Sequence, residues 1–156
     1  MLVGGTPQIT YTESYSACGA PTSVSANVSI QKPGGAVSIS WSGATAGTNN
    51  AIAGYTVYYN AGSAPTTSSS SVNVSASPYS FTIPSNATRG ATYYFKVLTR
   101  GSVSGYNSGI SSASANTLVN SLPAAPTVSV DKARIKSTGA TTVNFTVTAG
   151  ADANTS

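Results

Sequence analysis

Histidine is absent from the sequence, and cysteine occurs once, at Cys18. Because a Ser-His-Asp triad needs an imidazole as its general base, the many serines of the chain have no partner for that chemistry. Cys18 has no second cysteine for an intrachain disulfide bond and no histidine with which to share a zinc ion. We therefore predict no metal and no cofactor, and we interpret Cys18 as an incidental thiol in a flexible leader.

Acidic residues are also scarce, since Glu13, Asp131 and Asp152 are the only three in the sequence. None of them lies between residues 20 and 118, so that stretch cannot supply the two carboxylates of a glycosidase site. A Ser-Lys arrangement around Lys96 is formally open, but we interpret this lysine as an outward-facing residue of a strand. The sequence therefore predicts that the chain is not an enzyme.

Charge of either sign is low, at 6% of residues, against roughly a quarter in an average protein. The net charge of +4 comes from seven scattered basic residues. Lys132, Arg134 and Lys136 would share one face of a strand, but a nucleic-acid interface is usually denser and interleaved with aromatic side chains. We interpret this stripe as a solvated or edge-protecting strand face and predict no nucleic-acid partner. The neutral, hydroxyl-rich composition suits extracellular and virion proteins.

The sequence also lacks the apolar segments that membranes and secretion require. It contains no run of 18 apolar residues, so we predict no membrane insertion. Residues 1–5 show neither a basic segment nor an apolar segment of a secretion signal. A virion protein assembled in the host cytoplasm would fit this pattern, and so would a recombinant fragment with an added methionine.

Alternation of apolar and polar residues is the pattern that is present. Val37, Ile39 and Trp41 alternate with serines, and a period of two recurs at residues 55–59 and 93–98. No stretch shows a convincing helical period of 3.6 residues. Seven short strands in about 100 residues, separated by turn signals, predict an all-β fold built as a β-sandwich.

A repeat begins twice along the chain. Ala20-Pro21-Thr22 opens a segment that reaches an alternating run at residues 36–41, and Ala125-Pro126-Thr127 opens a second segment that reaches a similar run at residues 142–147. The period of about 105 residues is the size of one β-sandwich domain. The sequence therefore predicts one module followed by the start of another, as in a tandem array.

This repeat divides the chain into four parts. We predict a leader or connector at 1–19, a complete sandwich at 20–118, a linker at 119–125, and the first strands of a second, incomplete sandwich at 126–156. Two strands alone are marginal in water. We therefore expect either that the chain is an excerpt of a longer protein or that a neighbouring chain completes the second unit by strand addition.

Four separated features resemble a fibronectin type III domain: Ala20-Pro21 at the start, Trp41 at the end of the second strand, and residues 54–59 and 90–97 in two later strands. The resemblance covers residues 20–118 and implies an immunoglobulin-like, seven-stranded β-sandwich. It further implies that Trp41 packs in the core and that Tyr93 makes a hydrogen bond to the backbone upstream. The integrin-binding Arg-Gly-Asp of that family is absent, so integrin adhesion is not implied. The second unit departs from the pattern, because Val147 replaces Trp41.

Residues 41–50 and 99–109 look like repeats found in phage and prophage tail structural proteins. This narrower resemblance implies a non-catalytic structural or adhesion module of a multi-domain virion protein, in a tail, a fibre or a surface decoration. The expected partners are other virion or surface proteins, including copies of the chain itself. Two alternatives stay open: a spacer or weak carbohydrate-binding accessory domain of a secreted bacterial polysaccharide hydrolase, and a bacterial surface adhesin.

Two loops, at residues 43–53 and 101–109, are the predicted contact surface for a ligand such as a cell-surface polysaccharide. A tyrosine ring can stack on a sugar, and carboxamides can hydrogen-bond to it. The competing interpretation is that the asparagines adopt left-handed turn conformations and that the tyrosine caps the edge of the core. The residues of this candidate surface are Asn49, Asn50, Tyr106 and Asn107.

Tyr58 and Tyr94 form a second candidate surface, because the alternation points both side chains outward from a sheet. Such tyrosines can mediate contacts between modules or subunits. They are also common as ordinary cross-strand pairs.

Overall fold

A computed structural model describes residues 10–120, 125–132, 138 and 142–150. All regular secondary structure in these ranges is β-strand, which confirms the all-β prediction. The predictions made for residues 1–5, Arg134, Lys136 and Asp152 lie outside the described residues. The strands are β1 (Ser23–Ala26), β2 (Ile30–Gln31), β3 (Ala36–Ser42), β4 (Ile52–Ala61), β5 (Ser70–Val74), β6 (Tyr79–Thr82), β7 (Thr92–Gly101), β8 (Ala115–Val119), β9 (Thr127–Val130) and β10 (Phe145–Thr148).

Strands β1 to β8 form two sheets that enclose one core. The three-stranded sheet has the order β1-β3-β6, and the five-stranded sheet has the order β2-β8-β7-β4-β5. In β3 the apolar residues are buried and the serines between them are more exposed, as the period of two predicts. Because each sheet places its apolar face against the other, the arrangement is that of a β-sandwich.

The core is made by fully buried side chains from both sheets. Ile39 comes from the three-stranded sheet, while Val57 and Phe95 come from the five-stranded sheet, and all three have no exposed surface. Aromatic rings join the two sheets: Phe81 contacts Phe95 edge-on, with ring centroids 5.1 Å apart. Burying a side chain of this size contributes about 1.5–3 kcal/mol. This layer fixes the positions of the loops at each end of the sandwich.

Trp41 lies in this core, as the sequence predicts, with 7% of its surface exposed. Its indole packs edge-on against Tyr55, with ring centroids 5.1 Å apart. Among the described residues its Nε1 has no hydrogen-bond partner. The ring of Tyr93 packs against Phe81 at 5.7 Å, but within the same residues its hydroxyl makes no upstream backbone hydrogen bond.

The sequence predicts a first strand over Val24, Val28 and Ile30 that is interrupted near Asn27. The structure has two strands there, β1 and β2, so the sandwich has eight strands where the sequence predicts seven. β1 pairs with β3 in one sheet, and β2 pairs in parallel with β8 in the other. The crossing follows Asn27, whose backbone N–H donates to Ser38 O at 3.0 Å and whose Oδ1 accepts the Ser38 N–H at 2.8 Å. The Asn27 side chain takes the place of the next backbone hydrogen bond between β1 and β3. The pairing therefore ends there, and the chain passes to the five-stranded sheet.

Strands β9 and β10 form a separate antiparallel hairpin with the same register as the β1–β3 pair. Val128 lies opposite Val147, as Val24 lies opposite Trp41. The other three pairs correspond in the same way. In this correspondence Thr127 takes the place of Ser23, one residue away from the alignment of Ala20-Pro21-Thr22 with Ala125-Pro126-Thr127. The strand pairing is therefore repeated with one residue fewer between the Ala-Pro-Thr motif and the end of the first strand.

Candidate functional site

Two loops meet at one end of the sandwich, because they leave from neighbouring strands. β4 and β7 are antiparallel partners, and Ile52 lies opposite Gly101 at their ends. The loop at residues 43–51 precedes β4, and the loop at residues 102–110 follows β7. They are joined directly where the Ser102 N–H donates to Ala51 O at 2.8 Å. The structure thus brings together the two loops that the sequence singled out.

The predicted leader also belongs to this loop end. The Ser16 N–H donates to Thr48 O at 3.2 Å, and the Cys18 N–H donates to Tyr106 O at 3.1 Å. Cys18 is 5% exposed, so its thiol is buried against the sandwich and does not lie in a solvated leader. Its Sγ lies 3.8 Å from Asn50 O and 4.0 Å from Ala51 O, so the side chain packs against the loop at residues 43–51.

Asn50 is the centre of these contacts. Its side chain is 2% exposed. Its Nδ2 donates to Ser16 O at 3.0 Å and to Tyr106 O at 2.8 Å, while its Oδ1 accepts the Val103 N–H at 3.0 Å. A buried carboxamide that is bonded internally on both sides cannot reach a sugar. Because it is buried, Asn50 is not part of the predicted contact surface. Its hydrogen bonds instead connect the leader with the two loops.

Asn49 and Asn107 are both exposed, and each also has a structural role. Asn49 has a left-handed backbone with φ of 50°, and its Nδ2 donates to Ser14 O at 3.0 Å. Asn107 Oδ1 accepts the Gly101 N–H at 3.0 Å. The Asn49 geometry matches the competing interpretation, in which asparagine serves a turn. These two side chains nevertheless lie at the surface of the same loop end, where Asn107 directly follows Tyr106.

Tyr106 forms an aromatic pair that the sequence alone does not reveal. Its side chain is 38% exposed, and its ring centroid lies 5.8 Å from that of Tyr15 at an angle of 47°. The Tyr15 hydroxyl donates to a carboxylate oxygen of Glu13, and this bond, with the negative charge of Glu13, raises the pKa of Tyr15. No spacing rule connects residues 13–15 with residue 106, because only the docking of the leader brings them together.

Tyr58 and Tyr94 share the outer face of the five-stranded sheet, as predicted from the alternation. Tyr58 lies opposite Lys96, and Tyr94 lies opposite Asn60. Both tyrosines are half-buried, and the register makes them diagonal neighbours. Lys96 is therefore on the outer face as well. On β7, Tyr94 lies seven residues before Gly101, the end of the strand that adjoins the loop at residues 102–110.

A shallow depression lies on the outer face of the β1–β3 pair. It has a volume of about 230 Å³ and is lined by serines and by Trp41. Ligand-binding clefts usually start at about 300 Å³. The depression is therefore a gap between short side chains and not a developed site. Its lining residues are Ser23, Ser25, Ser40, Trp41 and Ser42.

Within the part of the chain that the structure describes, no group of three metal-ligating side chains is found. The same residues contain no helix of the length and apolarity needed to cross a membrane. Comparison with protein-family models and with curated protein sequences gives no match.

Proposed function

We propose that the chain is a non-catalytic structural module of a multi-domain virion protein, in a tail, a fibre or a surface decoration. The observation that carries the proposal is the repeated strand register, in which β9 and β10 pair as β1 and β3 do. Repetition of a strand-paired unit is the mark of tandem modules, which act by spacing and by presenting surfaces. The proposed partners are other virion or surface proteins, including further copies of the chain.

We also propose that the sandwich is an immunoglobulin-like domain of the fibronectin type III kind. Its support is the division into sheets β1-β3-β6 and β2-β8-β7-β4-β5, together with the burial of Trp41 at the end of β3. The parallel pairing of β2 with β8 is an addition to the seven strands that the resemblance implies.

The proposed mechanism is mechanical. The sandwich buries one continuous core between two sheets, and the leader is fastened across the loop end by Asn50. A module closed in this way keeps the distance between its neighbours nearly constant. The outer face of the five-stranded sheet carries Tyr58 and Tyr94, and tyrosine is enriched at contacts between proteins.

A second candidate function is weak carbohydrate binding, and the Tyr15–Tyr106 pair favours it. The exposed ring of Tyr106 would stack on a sugar, while Asn49 and Asn107 would hydrogen-bond its hydroxyl groups. This function would suit an accessory domain of a secreted bacterial polysaccharide hydrolase or a bacterial surface adhesin. It would also suit a virion protein that contacts the surface of its host.

Immunoelectron microscopy distinguishes these settings. Antibodies raised against the purified chain are applied to phage particles and to the secreted fraction of cells that carry the gene. The proposal predicts regular labelling at one part of the particle. Labelling confined to the secreted fraction or to the cell surface would contradict it and favour the hydrolase or the adhesin.

Binding to cell-surface polysaccharide is measured separately by isothermal titration calorimetry. The carbohydrate function predicts that Tyr106→Ala abolishes the binding, whereas Tyr94→Ala, on the distant sheet face, leaves it unchanged. Equal binding by both variants would refute the loop site.

A further inference from the structure

The β9–β10 hairpin has one face that is entirely apolar and open. The two cross-strand pairs on that face are Val128 with Val147 and Val130 with Phe145. Their side chains are 64%, 66%, 48% and 69% exposed, in that order. The opposite face carries hydroxyl side chains only. Four adjacent apolar side chains with this much exposure mark a surface that another structure covers.

The hairpin also repeats the pair of hydrogen bonds found at the end of β1. The Asp131 N–H donates to Asn144 O at 3.2 Å, and the Asn144 N–H donates to Asp131 Oδ1 at 3.0 Å. Asn27 and Ser38 make the same two bonds in the sandwich, at 3.0 and 2.8 Å. The residue types differ, but the side-chain oxygen accepts the same backbone N–H. The hairpin is therefore equivalent to β1–β3 in register and in its terminal hydrogen bonds.

In the sandwich, the face equivalent to the open one is covered by the five-stranded sheet. Trp41, which corresponds to Val147, packs against Tyr55 of β4. The apolar bulk of the hairpin is distributed differently, because Phe145 replaces Ile39 and Val130 replaces Ala26. The larger residues at these two positions partly offset the loss of the indole. The open face thus keeps the character of a sandwich interior.

A second copy of the hairpin would cover this face poorly. At about 200 Å² for a whole aromatic side chain, four partly exposed and mostly smaller side chains offer well under the roughly 800 Å² per partner of a standard interface. The sheet that covers the equivalent face in the sandwich is far larger. Four of its five strands, β4, β5, β7 and β8, follow β3 in the polypeptide.

We propose that the open face of the β9–β10 hairpin binds a second apolar β-sheet, supplied by strands that continue the same polypeptide as β4 to β8 continue β3. The inference rests on the proposed function, because it makes the hairpin the beginning of the next module in the array. The complementary surface is a row of β-branched and aromatic side chains, like Val57, Phe95 and Val97 in the sandwich.

The test extends the full chain with a sheet known to cover a face of this type. Residues 1–148 are followed by a second copy of residues 43–120, which places β4 to β8 after β10 as they stand after β3. The added copy contains no tryptophan. Tryptophan fluorescence therefore follows the first sandwich alone, while circular dichroism follows both units.

The proposal predicts a second cooperative unfolding transition in circular dichroism and amide exchange about 100-fold slower in β9 and β10 than in the unextended chain. Val128→Asp, which places a charge on the open face, should abolish the second transition. Ser129→Asp, which places the same charge on the hydroxyl face, is the matched control and should preserve it. Neither change should alter the fluorescence transition.

Two results would overturn the inference. The first is the absence of a second transition in the extended chain with its natural hairpin. This result overturns the inference whether or not Val130→Ala, Phe145→Ile and Val147→Trp, which restore the side chains of the first hairpin, produce a transition, because the natural face would then not fit such a sheet. The second is a second transition that persists in Val128→Asp. Regular antibody labelling of particles combined with either result would leave the virion role intact and remove only the second module.

Discussion

Replacing Asn50 with alanine should destabilise the sandwich far more than an ordinary loop substitution. The Asn50 side chain supplies hydrogen bonds to three backbone groups, Ser16 O, Tyr106 O and Val103 N–H. Tyr106 O keeps a second donor in the Cys18 N–H, whereas within residues 10–120 Ser16 O and the Val103 N–H have Asn50 as their only hydrogen-bond partner. At about 1 kcal/mol for each lost bond, the expected loss is about 3 kcal/mol. For a domain of this size the loss corresponds to a decrease in Tm of about 12–24 °C.

Urea and thermal unfolding, followed by fluorescence of the single tryptophan, measure this effect. The matched control is Asn107→Ala, because Asn107 is exposed and accepts one backbone N–H, from Gly101. Its expected cost is about 1 kcal/mol or less. Amide exchange localises each change: the Val103 amide should exchange faster in Asn50→Ala, and the Gly101 amide in Asn107→Ala. Equal small losses in both variants would refute the role of Asn50 in connecting the leader with the two loops.

Two further predictions concern the core and the attachment of the leader. Phe95→Ala removes a side chain with no exposed surface and should reduce the free energy of unfolding by about 3–5 kcal/mol. Phe145→Ala removes a side chain that is 69% exposed and should change the free energy of unfolding of the sandwich by about 0.5 kcal/mol or less. Similar losses in both variants would contradict the described core. Thr99→Val keeps the buried shape of Thr99 but removes the hydrogen bond from its Oγ1 to Gly19 O. Denaturant unfolding should therefore show a free energy of unfolding lower by about 1 kcal/mol. An unchanged free energy of unfolding would show that this bond does not hold the leader.

The fold was predictable from the sequence where a single local pattern determines the structure. The alternation at Val37, Ile39 and Trp41 identifies β3 and its buried face, because side chains in a strand alternate between two sides. The interruption of the first strand near Asn27 was also predictable, but the assignment of β1 and β2 to different sheets was not. It depends on a side-chain bond between Asn27 and Ser38, and on the availability of β8 as a partner in the other sheet.

The candidate site was predicted in part. The sequence indicated which loops to consider, and the structure joins them, but the sequence treated Asn50 and Asn107 as equivalent. They differ because Asn50 lies beneath the leader, which is distant in sequence, while Asn107 stays at the surface. Cys18 and Tyr15 were missed for the same reason. Composition identifies a residue as polar or aromatic, but only tertiary packing decides whether it is buried.

We propose that the chain contains one complete sandwich and the start of a second, as expected for a module of an array. Hydrogen exchange of the unextended chain can decide this, since it reports the stability of each strand separately. We expect slow exchange in β3, β4 and β7 and fast exchange in β9 and β10, whose apolar face is open. Exchange in β9 and β10 as slow as in the sandwich would contradict the proposal, because the hairpin would then already be part of a complete core.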